Sequence, residues 1–266
     1  MKRGDQRKQQ ASRKTENTHW LKENKQRLSV IIEVQQDERT VKQVLEQVAK
    51  LSPKEIILVV NGSRDSSIER ILMHKSPIIT SYVYAFPLGQ DVWRSIGARE
   101  ANGDVWLFLS ASSVIAASDL QPFVTACYQG LDISLRKTET SAYLSTRNEE
   151  DMDTVTLAKA YLNHMLDQRE KFTSMIDLPI AITREAAIQI GIHHLLVPPL
   201  AHAIAVNKKL RVGQSHRVKE EKRPLKDNRS SVRREERMNM RLGDHLEAVH
   251  YVNQMKSDPS PYNDHS

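Results

Sequence analysis

The first apolar run of the chain, Leu28-Ser29-Val30-Ile31-Ile32-Glu33-Val34, is short and rich in β-branched residues, which predicts a strand. Residues 37–51 follow with Val41, Val44, Leu45, Val48 and Leu51 at helical spacing, so the two segments read as a strand and its returning helix. The unit then repeats. Residues 54–60 form a second apolar run ending in the turn Asn61-Gly62-Ser63, with a helix over 65–74. A third strand is expected over 78–85, and Pro87-Leu88-Gly89 turns the chain into a helix over 91–101. The fourth strand, Val105 to Leu109, follows the Gly103-Asp104 turn.

Ser118-Asp119-Leu120-Gln121 reads as a capping box opening a helix that ends near Gly130, and 131–136 as another strand. The periodicity then weakens. A helix is expected over 150–169, a strand over 178–182, and a helix over 183–190 capped by Thr183. A helix opened by proline spans 199–208 and an edge strand 210–218. The last helix is placed at 244–256, with Leu246, Val249 and either His250 or Asn253 on one face. Strands alternating with helices argue for the α/β class: a single, mostly parallel, doubly wound sheet with a C-terminal helical extension.

Composition bounds what this fold serves. A chain of 266 residues, 39% hydrophobic and 27% charged, buries a substantial core, and no apolar run approaches the ~20 residues that span a bilayer. The N-terminus has no apolar signal-peptide centre, so a cytoplasmic protein is expected. The single cysteine, Cys127, excludes an intrachain disulfide and a cysteine zinc cluster; beside Phe123, Val124 and Ala126 it reads as a buried structural thiol.

The net charge of +6 is carried by residues 1–27, where nine Lys or Arg meet three acids. Such an arm reads either as a solubilising segment without fixed structure or as an electrostatic contact for an anionic partner or membrane surface. Nucleic acid ranks last, because no aromatic stacking pattern accompanies the arm. Residues 219–243 read as a charged linker between an α/β domain over 28–218 and the last helix, with 257–266 as a tail.

Four segments in fixed order carry a resemblance. Ser29-Val30-Ile31-Ile32 followed by Asp37-Glu38, then Val59-Val60-Asn61-Gly62-Ser63-Arg64-Asp65, then Arg94-Ser95-Ile96-Gly97-Ala98-Arg99 through Gly103-Asp104, then Leu107-Phe108-Leu109-Ser110-Ala111-Ser112 are together similar to the family 2 glycosyltransferases with the A-type nucleotide-sugar-binding fold. Residues 131–214 resemble, more loosely, the acceptor-side half of small bacterial members. The resemblance implies a nucleotide-binding half over 28–136, an acceptor half over 137–218, and a nucleotide-diphosphate sugar held over the strand ends.

On that resemblance Val34, Gln35 and Gln36 line the nucleoside, Asn61 and Ser63 approach the base or ribose, and Arg94 faces the nucleotide. The sequence departs from the family where an Asp-x-Asp pair would hold a divalent metal: Ser110 and Ser112 stand there, and hydroxyls do not replace carboxylates as the principal anchors of Mg²⁺ or Mn²⁺. No metal is therefore expected. Two readings stay open: basic side chains such as Arg94, His202, Lys208 and Arg211 take over the metal's task, or the domain is a catalytically inactive module for binding or partner docking. Inverting transfer to an acceptor hydroxyl needs a general base, for which Asp177, Asp244 and His245 are candidates by position. Asp244-His245-Leu246-Glu247 also reads as a capping box, which would explain those acids without chemistry.

Overall fold

A computed structural model describes residues 27–63, 65–73, 76–137, 152–170, 172–218 and 230–257. The strands are β1 (Leu28–Val34), β2 (Glu55–Asn61), β3 (Ile79–Tyr84), β4 (Val105–Ser110), β5 (Ile133–Arg136), β6 (Ile180–Thr183) and β7 (Val212–His216). The helices are α1 (Val41–Ala49), α2 (Ser67–Met73), α3 (Val92–Glu100), α4 (Ala117–Tyr128), α5 (Thr154–Met165), α6 (Arg184–Ile190), α7 (Pro198–Asn207) and α8 (Ser230–Ser257), with a 3-10 turn at Ile192–Leu196. All seven strands form one sheet in the order β3-β2-β1-β4-β6-β5-β7. Neighbours are parallel except β6, which runs antiparallel to both β4 and β5.

Alternation along each strand sends side chains to two cores, as period-2 geometry requires. Leu28, Val30, Ile32 and Val34 of β1 join Val105, Leu107 and Leu109 of β4 against α1 and α4. Ile31, with Trp106 and Phe108, joins the opposite core, which α3, α5, α6, α7 and α8 cover. The doubly wound sheet expected from the pattern is therefore present. Cys127 is buried in the first of these cores, and burial pushes its thiol up to about 12, which makes it inert.

Several local expectations change. No side chain caps the start of α4: its N-cap is Ala116, and Asp119 instead lies 3.3 Å from His216. Helix α5 is shorter than expected and is capped by Asp153, whose carboxylate accepts from Thr156 N–H. The cap at Thr183 is present, accepting from Ala186 N–H at 3.2 Å. Strand β5 sits between β6 and β7, on the far side of β4 from β1, β2 and β3.

The largest correction is α8. It begins at Ser230, inside what reads as a charged linker, and runs 28 residues. Asp244 and His245 are therefore helix-interior residues, not a cap. Residues 1–26, 219–229 and 258–266, which include nearly all of the arm, the first part of the linker and nearly all of the tail, lie outside the described residues. Among the described residues no helix is long and apolar enough to cross a membrane.

Candidate functional site

The carboxyl ends of β1, β2, β4 and β5, together with the chain entering β6, open onto one cleft of about 820 Å³. In open α/β sheets that edge is where ligands bind, because the chain must leave the sheet there in opposite directions. Strand β1 delivers Glu33 and the following loop delivers Gln35 and Gln36. This loop is braced from beyond β2: Gln36 N–H donates to Ser63 Oγ at 3.1 Å, Asp37 N–H to Ser67 Oγ at 2.8 Å and Glu38 N–H to Asp65 at 3.0 Å. Asp37 in turn accepts from Gln35 N–H at 2.8 Å. Gln36 adopts φ 56, a left-handed turn that the bracing holds in place.

Asn61 ends β2 and is oriented by two contacts. Its Oδ1 accepts from Leu88 N–H at 2.6 Å, which leaves the amide nitrogen to donate to Glu33 Oε1 at 3.4 Å. Gly62 beside it, at φ 62, lies so close to Pro87 that a Cβ would meet the proline nitrogen at 2.6 Å. The turn is therefore closed by backbone contact, and only glycine fits it.

Glu33 stands in register with Ser110 of β4, so the two side chains share a sheet face. Burial, with repulsion from Asp91 and Asp37, pushes its carboxyl from 4.5 up to about 7, against the opposing pull of Asn61 and Arg94. Ser110 Oγ donates to Ser112 Oγ at 2.9 Å and accepts from Ser112 N–H at 3.3 Å. The Ser110 hydroxyl is thus committed to Ser112.

Arg94 lines the cleft but is 2% exposed and heavily engaged. Its Nε donates to Asp91 at 2.6 Å, and its terminal nitrogens donate to the carbonyls of Met175 at 2.9 Å and Ile176 at 3.0 Å. The guanidinium ties α3 to the segment that carries Asp177.

On the side of β5 and β6, Asp177 lines the cleft and is paired with Lys159 of α5. Burial acts to raise its carboxyl, but Lys159, aided by the charges of Arg241 and Arg136, outweighs it and holds Asp177 below the usual carboxylate range. The chain then enters β6 through a cis Leu178–Pro179 bond. Arg136 at the end of β5 donates to the carbonyls of Leu178 at 3.4 Å and Val218 at 3.1 Å. Helix α8 closes this side with Glu236, Arg237, Met240 and Arg241.

The structure therefore brings Gln35, Gln36, Asn61, Arg94, Ser110, Ser112 and Asp177 to one cleft. Val34 does not reach it: its side chain is fully buried in the core beneath. Ser63 braces the loop and donates to Asp65 at 2.7 Å instead of lining the cleft. Asp244 lies on α8 outside the lining; burial, then Asp91 and Glu247, raise its carboxyl to about 6. His245 is fully buried, its Nδ1 against Arg241 O at 2.6 Å.

Of the basic side chains expected to replace a metal, three lie elsewhere. Burial depresses His202 to about 4, leaving it neutral at pH 7, while Lys208 donates to Gln189 O and Arg211 pairs with Asp132. The groups that sequence reading missed are Glu33, Arg136, Arg237 and Arg241. Glu33 carried a readable signal, an acid on the Ser29-Ile31 side of an otherwise apolar strand; the arginines carried none.

Residues 29–193 match the family described as Glycosyl transferase family 2, well over half of the chain. No curated protein matches the sequence. Among solved structures, M. tuberculosis glucosyl-3-phosphoglycerate synthase superposes with a TM-score of 0.60 at 14% identity, over 86% of this chain and 81% of that one. The same enzyme from Mycobacterium tuberculosis, in complex with Mn²⁺, UDP and phosphoglyceric acid, gives 0.57 at 14% identity over 82% and 79%. The mannosyltransferase PcManGT from Pyrobaculum calidifontis, in complex with GDP-Man and Mn²⁺, gives 0.58 at 14% identity over 88% and 70%. At such identities the likeness is one of fold.

Proposed function

Because the chain belongs to glycosyl transferase family 2, we propose that its cleft binds a nucleotide-diphosphate sugar and presents the sugar to an acceptor hydroxyl. The observation that carries this reading is the convergence of Gln35, Gln36, Asn61 and the Ser110–Ser112 pair on one cleft at the carboxyl edge of the sheet. Gln35, Gln36 and Asn61 offer amide groups to a base and ribose at the β1–β2 end. The diphosphate then lies over Ser110 and Ser112, and the sugar points toward Asp177.

Asp177 is the one general-base candidate of the three that lines the cleft. Held low by Lys159, it is ionised at neutral pH and accepts a hydrogen bond from the acceptor hydroxyl. A carboxylate so stabilised is a weak base, so its main contribution is orientation of the attacking oxygen. In the transfer, the bond from the anomeric carbon to the diphosphate oxygen breaks as the acceptor oxygen bonds to that carbon. The nucleoside diphosphate leaves with the electron pair, and the hydroxyl proton passes to a base.

Two of the neighbouring structures contain Mn²⁺. The residues of this chain do not fit such an ion. A hard divalent cation needs several oxygen ligands, carboxylates foremost, whereas the β4 end supplies two hydroxyls bonded to each other. The adjacent acid, Glu33, has its carboxyl pushed up to about 7 by burial, which disfavours the charged form that a cation needs. Among the described residues no three His, Cys, Asp or Glu side chains converge to hold a metal.

Calorimetric titration with UDP-, GDP- and dTDP-sugars, with and without Mn²⁺, tests the reading. Saturable binding of at least one donor is expected, followed by its consumption when an acceptor is supplied. Failure of every member of the panel to bind would overturn it.

A further inference from the structure

Glu33 is the one ionisable side chain that β1 presents to the cleft, and it stands in register with Ser110 of β4. Neighbouring strands lie about 5 Å apart, so a ligand seated on Ser110 is within reach of the Glu33 carboxyl. The protein itself does little to satisfy that carboxyl. Among the described residues its one hydrogen bond comes from Asn61 Nδ2 to Oε1, at 3.4 Å, and Leu88 N–H holds Asn61 in that orientation. Arg94 stands nearby, but its nitrogens donate to Asp91 and to the carbonyls of Met175 and Ile176. The second carboxyl oxygen, Oε2, is left to the cleft.

The charges around Glu33 oppose its ionised form. Asp37 follows in the β1 loop and Asp91 precedes α3, while Arg94, already paired with Asp91, counters them. From β2 and β4 come only the neutral Asn61 and Ser110. Burial together with the two acids pushes the carboxyl up to about 7, against the pull of Asn61 and Arg94. The rest of the charged lining is Arg136, Asp177, Glu236, Arg237 and Arg241. Asp91 also acts on Asp244 of α8, which burial, then Asp91 and Glu247, raise to about 6.

A diphosphate lying over the serines needs hydrogen-bond donors there. The Ser110 hydroxyl is committed to Ser112, so of the two only Ser112 has a hydrogen left to give. An ionised Glu33 would offer none and would repel the anion at close range. The diphosphate of a nucleotide sugar is a diester with no proton that titrates near neutrality, so the neutral partner has to be the carboxyl.

Resting on the reading that the cleft holds a nucleotide-diphosphate sugar, we propose that Glu33 binds the diphosphate as a neutral acid, donating from Oε2 to a phosphate oxygen over Ser110, so that binding takes up a proton. No bond to the sugar forms or breaks in this step. One proton passes from solvent to Glu33 as the sugar nucleotide enters, and returns to solvent when the cleft empties. Because the protonated cleft is the binding form, affinity is greatest below the Glu33 range and falls as pH rises through it.

The test is calorimetry on the full-length protein in EDTA, with UDP-glucose, GDP-mannose and dTDP-glucose and their parent nucleosides. Each titration is run in two buffers of different ionisation enthalpy, which counts the protons. The sugar nucleotide that binds is expected to take up about half a proton or more at about pH 8, and its Kd to weaken about five- to tenfold from about pH 6 to pH 8. The nucleoside should show neither effect. Glu33→Gln, neutral at every pH and still a donor, should keep the acid-side affinity throughout and take up no proton. Glu33→Ala, which has no donor, should bind the sugar nucleotide about tenfold more weakly than wild type at about pH 6 while nucleoside affinity holds. Asp244→Asn should leave the uptake in place. Binding without uptake, uptake that survives Glu33→Gln or vanishes with Asp244→Asn, or equal affinities of Glu33→Ala and Glu33→Gln would each overturn the role of Glu33 and leave the nucleotide-sugar reading standing. Failure of every sugar nucleotide and nucleoside to bind would instead overturn that reading, and the role of Glu33 with it.

Discussion

Glu33 shows how a single residue acquires its chemistry from neighbours distant in sequence. Its position on β1 sets the face, the register with Ser110 sets the cleft, and Asn61 sets the direction of one carboxyl oxygen. Because burial raises the folded-state value to about 7 from 4.5, the folded protein holds this proton more tightly than the unfolded chain. Its contribution to stability is therefore fully present below pH 4.5 and is lost as pH rises through about 7. Glu33→Gln, which cannot ionise, should match the wild type near pH 4 and exceed it at pH 8 by about 1–2 kcal/mol once solvent access from the cleft is discounted. Thermal melts at the two pH values check this, and an equal difference at both would contradict it. An acid on an apolar strand was visible in the sequence, but its partners were not, because Asn61, Ser110 and Asp91 approach it only through strand pairing and the α3 entry.

At the scale of elements, α3 lies close on β1 through Gly97. A Cβ there would stand 2.2 Å from the Ile31 Cγ2 atom, at a buried position with no free volume. Gly97→Ala must displace the helix or the strand, and overpacking of this kind costs about 1–3 kcal/mol. Urea unfolding measures it; a loss below ~0.5 kcal/mol would mean that α3 slides freely on the sheet.

Elements with strong periodicity, α1 with Val41, Val44, Leu45 and Val48 and the apolar strands β2 and β4, were legible because each buries one regular face or both. Helix α8 was not. Its first half carries charges that read as a linker, and among the described side chains its buried residues, His245, Ala248 and Val252, lie in its second half. Capping-box spacing at Ser118 and Asp244 likewise misled, since spacing alone does not say where a helix begins.

The whole molecule depends on α8 in two ways: it closes one core, through Ala248 and Val252, and it supplies one wall of the cleft. Lys256 also donates to Met165 O at 2.7 Å, fastening the helix end to α5. Truncation after Val218 should remove about 2–5 kcal/mol of burial, lowering the thermal midpoint by on the order of 5–15 °C. Calorimetry of the truncated chain checks this, and an unchanged midpoint would show that α8 is an appendage.

The sequence by itself determined the class of fold, the four strand-end segments and the replacement of two expected carboxylates by Ser110 and Ser112. These are local properties, written in apolar periodicity and in residue identity at a turn. Tertiary structure decided which charges share the cleft. It committed Arg94 to Asp91 and two carbonyls, buried His202 and His245, and brought Arg237 and Arg241 of α8 into the lining of the cleft that holds the serine pair. Electrostatic partnership depends on distance and burial, and a linear pattern of charges encodes neither until the sheet order and the docking of α8 bring them together.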